Sequence, residues 1–586
     1  MKPASRIIAL LLVIVFALPL AACGGGDDDT IYFRFGFGDE PDSLNPYFGT
    51  HTIAYYVYAS IYDTLFVRDR NYELVNSLAA GYDKAVNEDG TCTYTLRVRD
   101  DVSWQDGEKF TANDVAFTLY TTYYWSYAHA YDVLFLDPDS IEVVDETTLK
   151  FTVEADYPYI IEYLSVCPIY PAHIWKEYFT DDAGNYLASD DENVYAALEV
   201  ELTPENMVGT GPFKWYGADD IACTLVKNDK YWNGQSAVDA LVYVYNVAEP
   251  LTALQNGELD ACEYMTASAL DALKTDESFD YALGMTYGFN AVSFNLNAPE
   301  AGSAANQLIQ LKEVRQAIDY CTRRSYILDM AYSGLGVAGD SMLGANSKYY
   351  YDLKTNYANY RDSDAQDNVE KAIALLEGAG FTYNAAGGAY GEADKAAGAT
   401  RYNANGEALT FRLNYDSNNT EDQDACTIMK ETCQKAGIEL VVQGYDQATL
   451  WDYCDAFDYD MYIVEWGAYV DPSFSLSLFQ WEDGYWAYAN NGYNETGYGN
   501  AEYDTLFNEQ LYAENDEARR AAVNRMQEIF YEDCPMLILG YYYYIQPVNK
   551  AKWQGYAQLP EGSEYGLLWD YTTLPYELMH LTYIGE

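Results

Sequence analysis

Two aromatic stretches in the last quarter of the chain carry side chains suited to holding a ligand. The first is EWGAYVDP, residues 465–472, and the second is the run of four tyrosines at 541–544. A tyrosine ring is flat and apolar but carries a polar hydroxyl, so it suits a cleft that is partly filled with water. Trp466, Tyr469 and the later tyrosines could stack on sugars or on bulky apolar side chains. This is the chemistry of binding, without covalent steps.

No catalytic or metal-binding pattern accompanies these residues. The sequence has no Gly-x-Ser-x-Gly elbow and no H-E-x-x-H pair, and its four histidines form no cluster with cysteine. With 91 acidic residues some carboxylates will always lie close together, so such pairs do not indicate a glycosidase. The ten cysteines include no C-x-x-C, so we expect them to be buried and reduced. We predict no catalytic residue, no cofactor and no metal.

The first aromatic stretch follows a predicted strand of an α/β unit. Strands are predicted at 409–415, 438–442 and 459–464, and a helix at 422–436 that ends at Gly437. This order of strand, helix and strand predicts right-handed parallel pairing. Ligands of open α/β sheets usually lie beyond the carboxyl ends of the strands, and residues 465–472 occupy such a position.

Composition indicates a large globular protein with an acidic surface. A chain of 586 residues is too long for one core, so two or three lobes are expected. Hydrophobic residues at 49% and charged residues at 21% are typical of a globular protein. The 33 basic and 91 acidic residues give a net charge of −58, which argues against nucleic acid as a partner. A well-solvated exterior accounts for the acid excess.

The tyrosine run lies in a predicted crossing between lobes. Residues 289–296 are predicted to form the first crossing, and residues 535–545 the return to the first lobe. Successive side chains of a strand point to opposite faces, so at most half of the four tyrosines should face the ligand.

Other local patterns predict the elements that support the site. Strict alternation over 91–99 predicts a half-buried strand, and Thr111 with Asp114 predicts a capped helix. Asp367 and Glu370 predict a second capped helix over 369–376, which Gly378 or Gly380 would stop. Residues 384–405 are rich in glycine and alanine and are predicted to be an exposed loop.

The N-terminus has the features of an export signal. Lys2 and Arg6 precede an apolar run at 7–20, which is shorter than the ~20 residues of a membrane span. The following Leu20-Ala21-Ala22-Cys23 resembles a bacterial lipobox, in which the cysteine is acylated and becomes the new N-terminus. Residues 24–29 then form a flexible, charged tether. We expect an extracytoplasmic lipoprotein on the outer face of the bacterial cell membrane; an uncleaved anchor would tether it there as well.

Several motifs resemble those of one protein family and occur in the same order. They are LNP at 44–46, WQDGEKFTANDV at 104–115, YPAHIW at 170–175, VGTGPF at 208–213, NDKYWNG at 228–234, ALQNGELD at 253–260 and KEVRQAI at 312–318. Together they resemble the family 5 extracellular solute-binding proteins, the oligopeptide-, dipeptide- and nickel-binding components of ABC importers. The resemblance implies an α/β, two-lobed periplasmic-binding-protein-like fold with an extra subdomain inserted in the first lobe.

Two of these motifs have a structural interpretation of their own. VGTGPF lacks the Gly-Lys-Ser/Thr ending of a phosphate-binding loop, so a backbone turn explains its glycines better. His173 has no candidate metal ligand near it in the sequence and is interpreted as structural.

The resemblance also implies a set of ligand-binding residues. In peptide-binding members the loop at Trp466 pairs its backbone with the peptide main chain, and the loop near residues 48–51 borders the ligand. The expected set is Thr50, His51, Glu465, Trp466, Gly467, Ala468, Tyr469, Asp471, Tyr542, Tyr543 and Tyr544.

One residue departs from the family pattern. Peptide-binding members usually carry, two or three residues after the tryptophan, an aspartate that holds the peptide α-amino group, and this chain has Gly467-Ala468-Tyr469 there. Glu465 or Asp471 could substitute, although Asp471-Pro472 matches a structural pair of the family. We therefore predict that N-acetylation of a peptide ligand changes its affinity little.

The implied function is capture of a solute for an ABC permease, by a monomer whose two lobes close on the ligand. An oligopeptide or dipeptide is the leading ligand, an oligosaccharide the alternative, and a secreted hydrolase the third possibility. The predicted organisation is a signal peptide at 1–22, a tether at 23–30, lobe I at 31–52, 205–288 and 535–586, an inserted subdomain at 53–204, and lobe II at 289–534.

Overall fold

A computed structural model describes residues 30–126, 133, 136–153, 160–188, 194, 200–297, 303–468, 470–481, 494–563 and 566–585. The predicted signal peptide, Cys23 and Tyr469 lie outside these residues. The strands are β1 Tyr32–Gly36, β2 Phe66–Arg68, β3 Leu74–Asn76, β4 Ala79–Val86, β5 Cys92–Val98, β6 Leu136–Asp145, β7 Thr148–Val153, β8 Phe213–Ala218, β9 Ala222–Lys227, β10 Ala240–Val244, β11 Ala261–Cys262, β12 Phe279–Gly284, β13 Phe289–Phe294, β14 Gly336–Ala338, β15 Thr410–Asp416, β16 Glu439–Tyr445, β17 Met461–Trp466, β18 Met536–Tyr542, β19 Tyr544–Asn549, β20 Trp553–Gln554 and β21 Thr582–Tyr583.

Helices surround these strands. The α-helices are α1 Thr52–Ile61, α2 Ala112–Trp125, α3 Ile160–Leu164, α4 Ala172–Trp175, α5 Pro250–Gln255, α6 Leu270–Thr275, α7 Lys312–Cys321, α8 Arg324–Ala331, α9 Leu353–Asn356, α10 Asn368–Gly378, α11 Glu392–Ala396, α12 Thr420–Ala436, α13 Gln447–Asp455, α14 Ser473–Ser477, α15 Ala501–Leu511, α16 Asp516–Asp533 and α17 Leu574–Glu577.

Three sheets organise the chain. The largest has seven strands in the order β12-β19-β11-β1-β10-β9-β8, and the next has six in the order β14-β18-β13-β17-β15-β16. A four-stranded antiparallel sheet, β4-β5-β7-β6, lies between β1 and β8 in the sequence. Strand β15 runs parallel to both β16 and β17, as predicted for the α/β unit.

Local patterns account well for the supporting elements. In β5 the side chains of Cys92, Tyr94, Leu96 and Val98 are buried, as the alternation predicts. The Thr111 hydroxyl accepts from the backbone N–H of Asn113 at 3.3 Å, and the Thr111 N–H donates to the Asp114 carboxylate at 2.8 Å. Both predictions are confirmed.

Two local predictions need correction. Asp367 precedes α10 but its side chain caps no backbone group; it forms an ion pair with Lys371 at 3.0 Å, one helical turn on. Residues 384–405 are not a plain loop, because they contain the short helix α11, whose first turn is favoured by Asp394 accepting from the Gly391 N–H at 2.9 Å. The ends of the longer helices agree with prediction, since Gly380 and Gly437 have φ of +92° and +86°.

The VGTGPF turn is held by close backbone approach. The Gly211 N–H donates to the carbonyl oxygen of Ile61 at 2.8 Å, at the end of α1. A Cβ at Gly211 would lie 2.7 Å from that oxygen, and one at Gly209 would overlap it. The glycines are therefore needed for contact with α1, and no phosphate has to be invoked. His173 is likewise structural, with Nε2 2.8 Å from the Asp106 carboxylate.

We expect Gly209→Ala to lower the free energy of unfolding by about 1–3 kcal/mol or more, because the added methyl forces the turn away from α1. Urea unfolding measures this loss. Gly217→Ala is the matched control, since nothing lies within 4 Å of a Cβ at that position. Equal stability of the two variants would show that the contact at Ile61 is not tight.

The chain passes twice between the two large sheets. The first crossing, between β12 and β13, covers residues 285–288 and not 289–296 as predicted, because Phe289–Phe294 already form β13 inside the six-stranded sheet. The second differs from the prediction that the return begins at 535: β18 pairs with β13 and β14 in the six-stranded sheet, and β19 pairs with β12 and β11 in the seven-stranded sheet. The change of sheet therefore occurs at Tyr543. The other predicted domain boundaries stay predictions.

All nine cysteines of the described residues are buried and free of disulfide bonds, as predicted. Across the same residues, no helix has both the length and the apolar character needed to cross a membrane.

Candidate functional site

The candidate site is a cavity of about 1320 Å³ at the place where the chain changes sheets. Its wall includes Met285, Thr286 and Tyr287 of the first crossing, the carboxyl end of β17, and Tyr544 at the start of β19. Sites for drug-sized ligands measure about 300–1,000 Å³, so this cavity has room for a longer molecule.

Several of the predicted ligand-binding residues meet at this cavity. Glu465, Trp466, Gly467, Ala468 and Asp471 all line it at or just beyond the carboxyl end of β17. Thr50 also lines the cavity, and its N–H and hydroxyl both donate to the Asp42 carboxylate, at 2.8 and 2.7 Å. Tyr469 lies outside the described residues, so its predicted role stays a prediction.

Three predicted residues do not line the cavity. His51 turns away, with its ring Nδ1 3.3 Å from the Glu40 carbonyl oxygen. Tyr542 stacks on Tyr332 with ring centroids 3.8 Å apart, on the six-stranded sheet. Tyr543 lies at the change of sheet and packs into the core. Of the four consecutive tyrosines, Tyr544 alone lines the cavity.

The α1 helix contributes a wall that was not among the predicted ligand-binding residues. Tyr55, Tyr58 and Tyr62 all line the cavity. Their spacing of three and then four residues places them on one face of the helix. This aromatic face could have been predicted from the sequence. Glu263 and Tyr264, just after β11, and Asp570 also line the cavity and were missed. Glu263 and Tyr264 follow a strand of only two residues, and Asp570 lies outside any helix or strand, so no periodic pattern marks them.

Trp466 is fixed between the two crossings and the loop that follows β17. Its indole is half-buried, with the ring centroid 6.4 Å from that of Phe474. In the β13–β17 pair it lies opposite Phe289. A side chain at Gly288 would overlap the Trp466 carbonyl oxygen, so the first crossing touches the end of β17 directly.

A buried ion pair holds the loop beyond Trp466. Arg519 of α16 donates to both carboxylate oxygens of Asp471, at 2.8 and 3.1 Å, and its side chain is 0% exposed. It also donates to Gln510 and Ser473, each at 3.0 Å. Both carboxylate oxygens of Asp471 are thus bound by Arg519 inside the protein, so Asp471 does not offer its charge to a ligand amine.

Two carboxyl groups of the cavity have strongly raised pKa values. Glu465 faces the cavity, where water reaches it, but protein encloses it on its other sides; this desolvation and then the charge of Asp422 raise the pKa of Glu465 to about 7. Desolvation likewise raises the pKa of Glu263 to about 8. Tyr544 donates a hydrogen bond to Glu465 Oε1, which ties β19 to β17 across the cavity.

We expect Glu263→Gln to stabilise the protein at pH 8 but not at pH 5. The pKa of Glu263 is raised from 4.5 to about 8 on folding, so the unfolded chain loses this proton first as pH rises. The native carboxyl therefore lowers the free energy of unfolding progressively between about pH 4.5 and pH 8, whereas glutamine has no such proton. Urea unfolding from pH 5 to 8 measures the difference.

The exposed Glu277 offers a control, because Glu277→Gln removes the same charge outside the cavity. A Glu263→Gln effect that is the same at every pH would contradict the assigned burial.

Within the described residues, no group of three or more histidine, cysteine, aspartate or glutamate side chains is arranged to hold a metal ion.

Comparison with known proteins identifies the family. The model of the bacterial extracellular solute-binding proteins, family 5 (Middle), matches residues 73–486. The chain therefore belongs to this family, the solute-binding proteins of ABC importers, as the motifs indicated.

Relatives over the full length support the same assignment. The chain is 25% identical over 573 residues to Protein XP55 of Streptomyces lividans, covering 94% of this chain and 92% of the relative. It is 23% identical over 576 residues to the oligopeptide-binding protein OppA of Bacillus subtilis, covering 91% and 93%.

Solved structures share the fold. The oligopeptide-binding protein AppA of Bacillus subtilis, solved with a nonapeptide, matches with a TM-score of 0.71 at 19% identity, over 94% of this chain and 98% of that chain. NikZ of Campylobacter jejuni, solved with Ni(L-His), matches with a TM-score of 0.71 at 21% identity, over 95% and 100%. The predicted two-lobed periplasmic-binding-protein-like fold is confirmed.

Proposed function

We propose that this protein captures an oligopeptide or dipeptide in the cavity and delivers it to the permease of an ABC importer. The observation that carries the proposal is the free backbone at the end of β17. Within the described part of the chain, the peptide groups of Gly467 and Ala468 make no hydrogen bond, and both residues line the cavity. An extended peptide could add to this strand end through main-chain hydrogen bonds, which give affinity without reading side chains.

The size and walls of the cavity agree with such a ligand. About 1320 Å³ exceeds the usual volume for a drug-sized molecule, and tyrosine rings on α1 and near Tyr264 offer apolar faces for varied side chains. An oligosaccharide is the second candidate, because the same rings could stack on sugars.

A binding panel tests the proposal. Purified protein is screened by thermal shift with di- to octapeptides and with cello- and xylo-oligosaccharides, and hits are followed by calorimetry. A rise in melting temperature with peptides supports the proposal; a rise with oligosaccharides alone overturns it in favour of the second candidate. Mass spectrometry of the recovered ligand tests for hydrolysis, and an unchanged mass is expected. Size-exclusion chromatography should show a monomer with and without ligand.

We further propose that Cys23 carries the lipid that holds the protein on the outer face of the membrane. The apolar run before it and the charged tether after it support this placement. A Cys23→Ser variant is expected to leave the membrane fraction; retention there would indicate an uncleaved anchor.

A further inference from the structure

The charges around the cavity are unbalanced. Five carboxylate side chains line it, those of Glu162, Glu263, Glu465, Asp471 and Asp570. Among the described lining residues, the single basic side chain is that of Arg68, and no lysine or histidine is present. An excess of one sign in a cleft with low-dielectric walls focuses the field and favours a ligand of the opposite sign.

Two of the five carboxylates are neutralised inside the protein. Glu162 forms an ion pair with Arg68, and Asp471 forms the buried pair with Arg519. Neither has a charge left to offer a ligand.

The other three carboxylates have no cationic partner within the described residues. Glu263, Glu465 and Asp570 form no ion pair there; their contacts are with neutral donors. Tyr72 donates to Asp570 at 3.1 Å and Tyr544 donates to Glu465, so hydroxyl groups hold these side chains in place. Glu263 and Asp570 are partly buried, and carboxylates taken out of water are normally paired with a cation, a partner that these side chains lack among the described residues.

Glu263 and Glu465 lie beside one pair of aromatic rings, and Asp570 lines the same cavity. Glu263 precedes Tyr264 in the chain, and Glu465 accepts a hydrogen bond from the Tyr544 hydroxyl. Burial, and then the charges of Glu263, Glu465 and Asp570, raise the pKa of the Tyr264 hydroxyl. The Tyr264 and Tyr544 rings lie 4.2 Å apart between centroids, and both line the cavity. A cation beside such rings gains from their negative faces as well as from the carboxylates.

Resting on the proposed function, we propose that this end of the cavity selects peptides with a basic side chain, whose ammonium or guanidinium group binds among Glu263, Glu465 and Asp570. The alkyl part of a lysine or arginine side chain would lie along Tyr264 and Tyr544 while its charged end reaches the carboxylates. A bound ammonium or guanidinium group favours the ionised form of these carboxyl groups, whereas an acidic side chain at this place finds no cationic partner among them. The cavity would therefore select peptides by the charge of one side chain. The main-chain hydrogen bonds would add affinity that does not depend on the peptide sequence.

The test compares ligands that differ in one group. A peptide that binds in the first panel is synthesised with lysine, norleucine or glutamate at each position, since norleucine keeps the alkyl chain without the ammonium. Each is made with a free and an acetylated N-terminus, and spermidine serves as a non-peptide cation. Calorimetry should show at least one position where lysine binds about tenfold tighter than norleucine, with glutamate weaker still, and acetylation should preserve this order.

Variants then locate the effect. The double variant Glu263→Gln/Glu465→Gln should bind the lysine peptide about tenfold more weakly and the norleucine peptide within about twofold of wild type. Glu277→Gln, which removes an exposed charge outside the cavity, should change neither affinity. An equal loss for Glu277→Gln would mean that the overall net charge, and not the cavity, attracts the ligand, and would overturn the proposal.

The remaining outcomes separate this inference from the proposed function. Equal binding of lysine, norleucine and glutamate peptides overturns the charge selection but leaves peptide capture standing. Loss of the lysine preference on acetylation overturns the side-chain assignment in favour of the N-terminal amine. If spermidine binds and none of the peptides does, the proposal of peptide capture itself is overturned.

Discussion

Replacing Arg519 by methionine is expected to lower the free energy of unfolding by about 3–5 kcal/mol, because the buried Asp471 would lose its cationic partner. Arg519 also donates to Gln510, Ser473 and the Tyr349 hydroxyl, so four buried acceptors lose a donor at once. Methionine keeps much of the side-chain length and removes the charge. Chemical unfolding measures the loss, and calorimetry should also show weaker peptide binding, since Gly467, Ala468, Val470 and Asp471 line the cavity.

The neighbouring Arg520 is a matched control on the same helix. Its side chain is 41% exposed and contacts Asp516 and the Lys348 carbonyl oxygen. Exposed ion pairs contribute little, so Arg520→Met should cost less than about 1 kcal/mol. If the two variants were equally stable, the Asp471–Arg519 pair would not be holding the loop. Adding Asp471→Asn to Arg519→Met should recover part of the loss, because the unpaired buried charge is then removed.

Replacing Trp466 by alanine is expected to weaken peptide binding by about 30-fold or more, as for a hot-spot aromatic residue worth at least about 2 kcal/mol. Its half-buried indole lines the cavity beside the free peptide groups of Gly467 and Ala468. Truncation removes an apolar contact and also loosens the strand end that would pair with the ligand. Calorimetry with a peptide from the first panel provides the measurement.

Trp451 supplies the comparison for this substitution. It lies on α13, its side chain is 42% exposed, and it does not line the cavity. Trp451→Ala should leave the peptide affinity within about twofold of wild type. Retained affinity in the Trp466→Ala variant, with an intact circular dichroism spectrum, would place the ligand elsewhere.

Sequence patterns that span only a few neighbouring residues predicted the supporting helices and strands well. The alternation of β5 and the Thr111–Asp114 cap depend on neighbours in the sequence, and the structure confirms both. The loop after β17 lies beyond the carboxyl end of that strand and lines the cavity, in the position where open α/β sheets bind their ligands; its role in ligand binding stays a prediction.

Contacts between distant segments were harder to predict. Regular alternation was assumed for residues 541–544, yet the strand leaves one sheet after Tyr542 and enters the other at Tyr544. This break is set by pairing with β14 and β12, which no local pattern reveals. Glu263, just after β11, reaches the cavity through sheet order in the same way. The face formed by Tyr55, Tyr58 and Tyr62 was visible in the sequence, but helical spacing alone does not show which side of a helix meets a cleft.

The placement of β19 has a consequence for the stage at which the protein can fold. This strand, residues 544–549, inserts between β12 and β11, and it therefore joins the last tenth of the chain to a sheet begun at residue 32. A sheet completed by such distant partners forms late, since the intervening chain must be ordered first. We expect the polypeptide to remain incompletely folded, and unable to bind a solute, until nearly all of it has been translocated across the membrane.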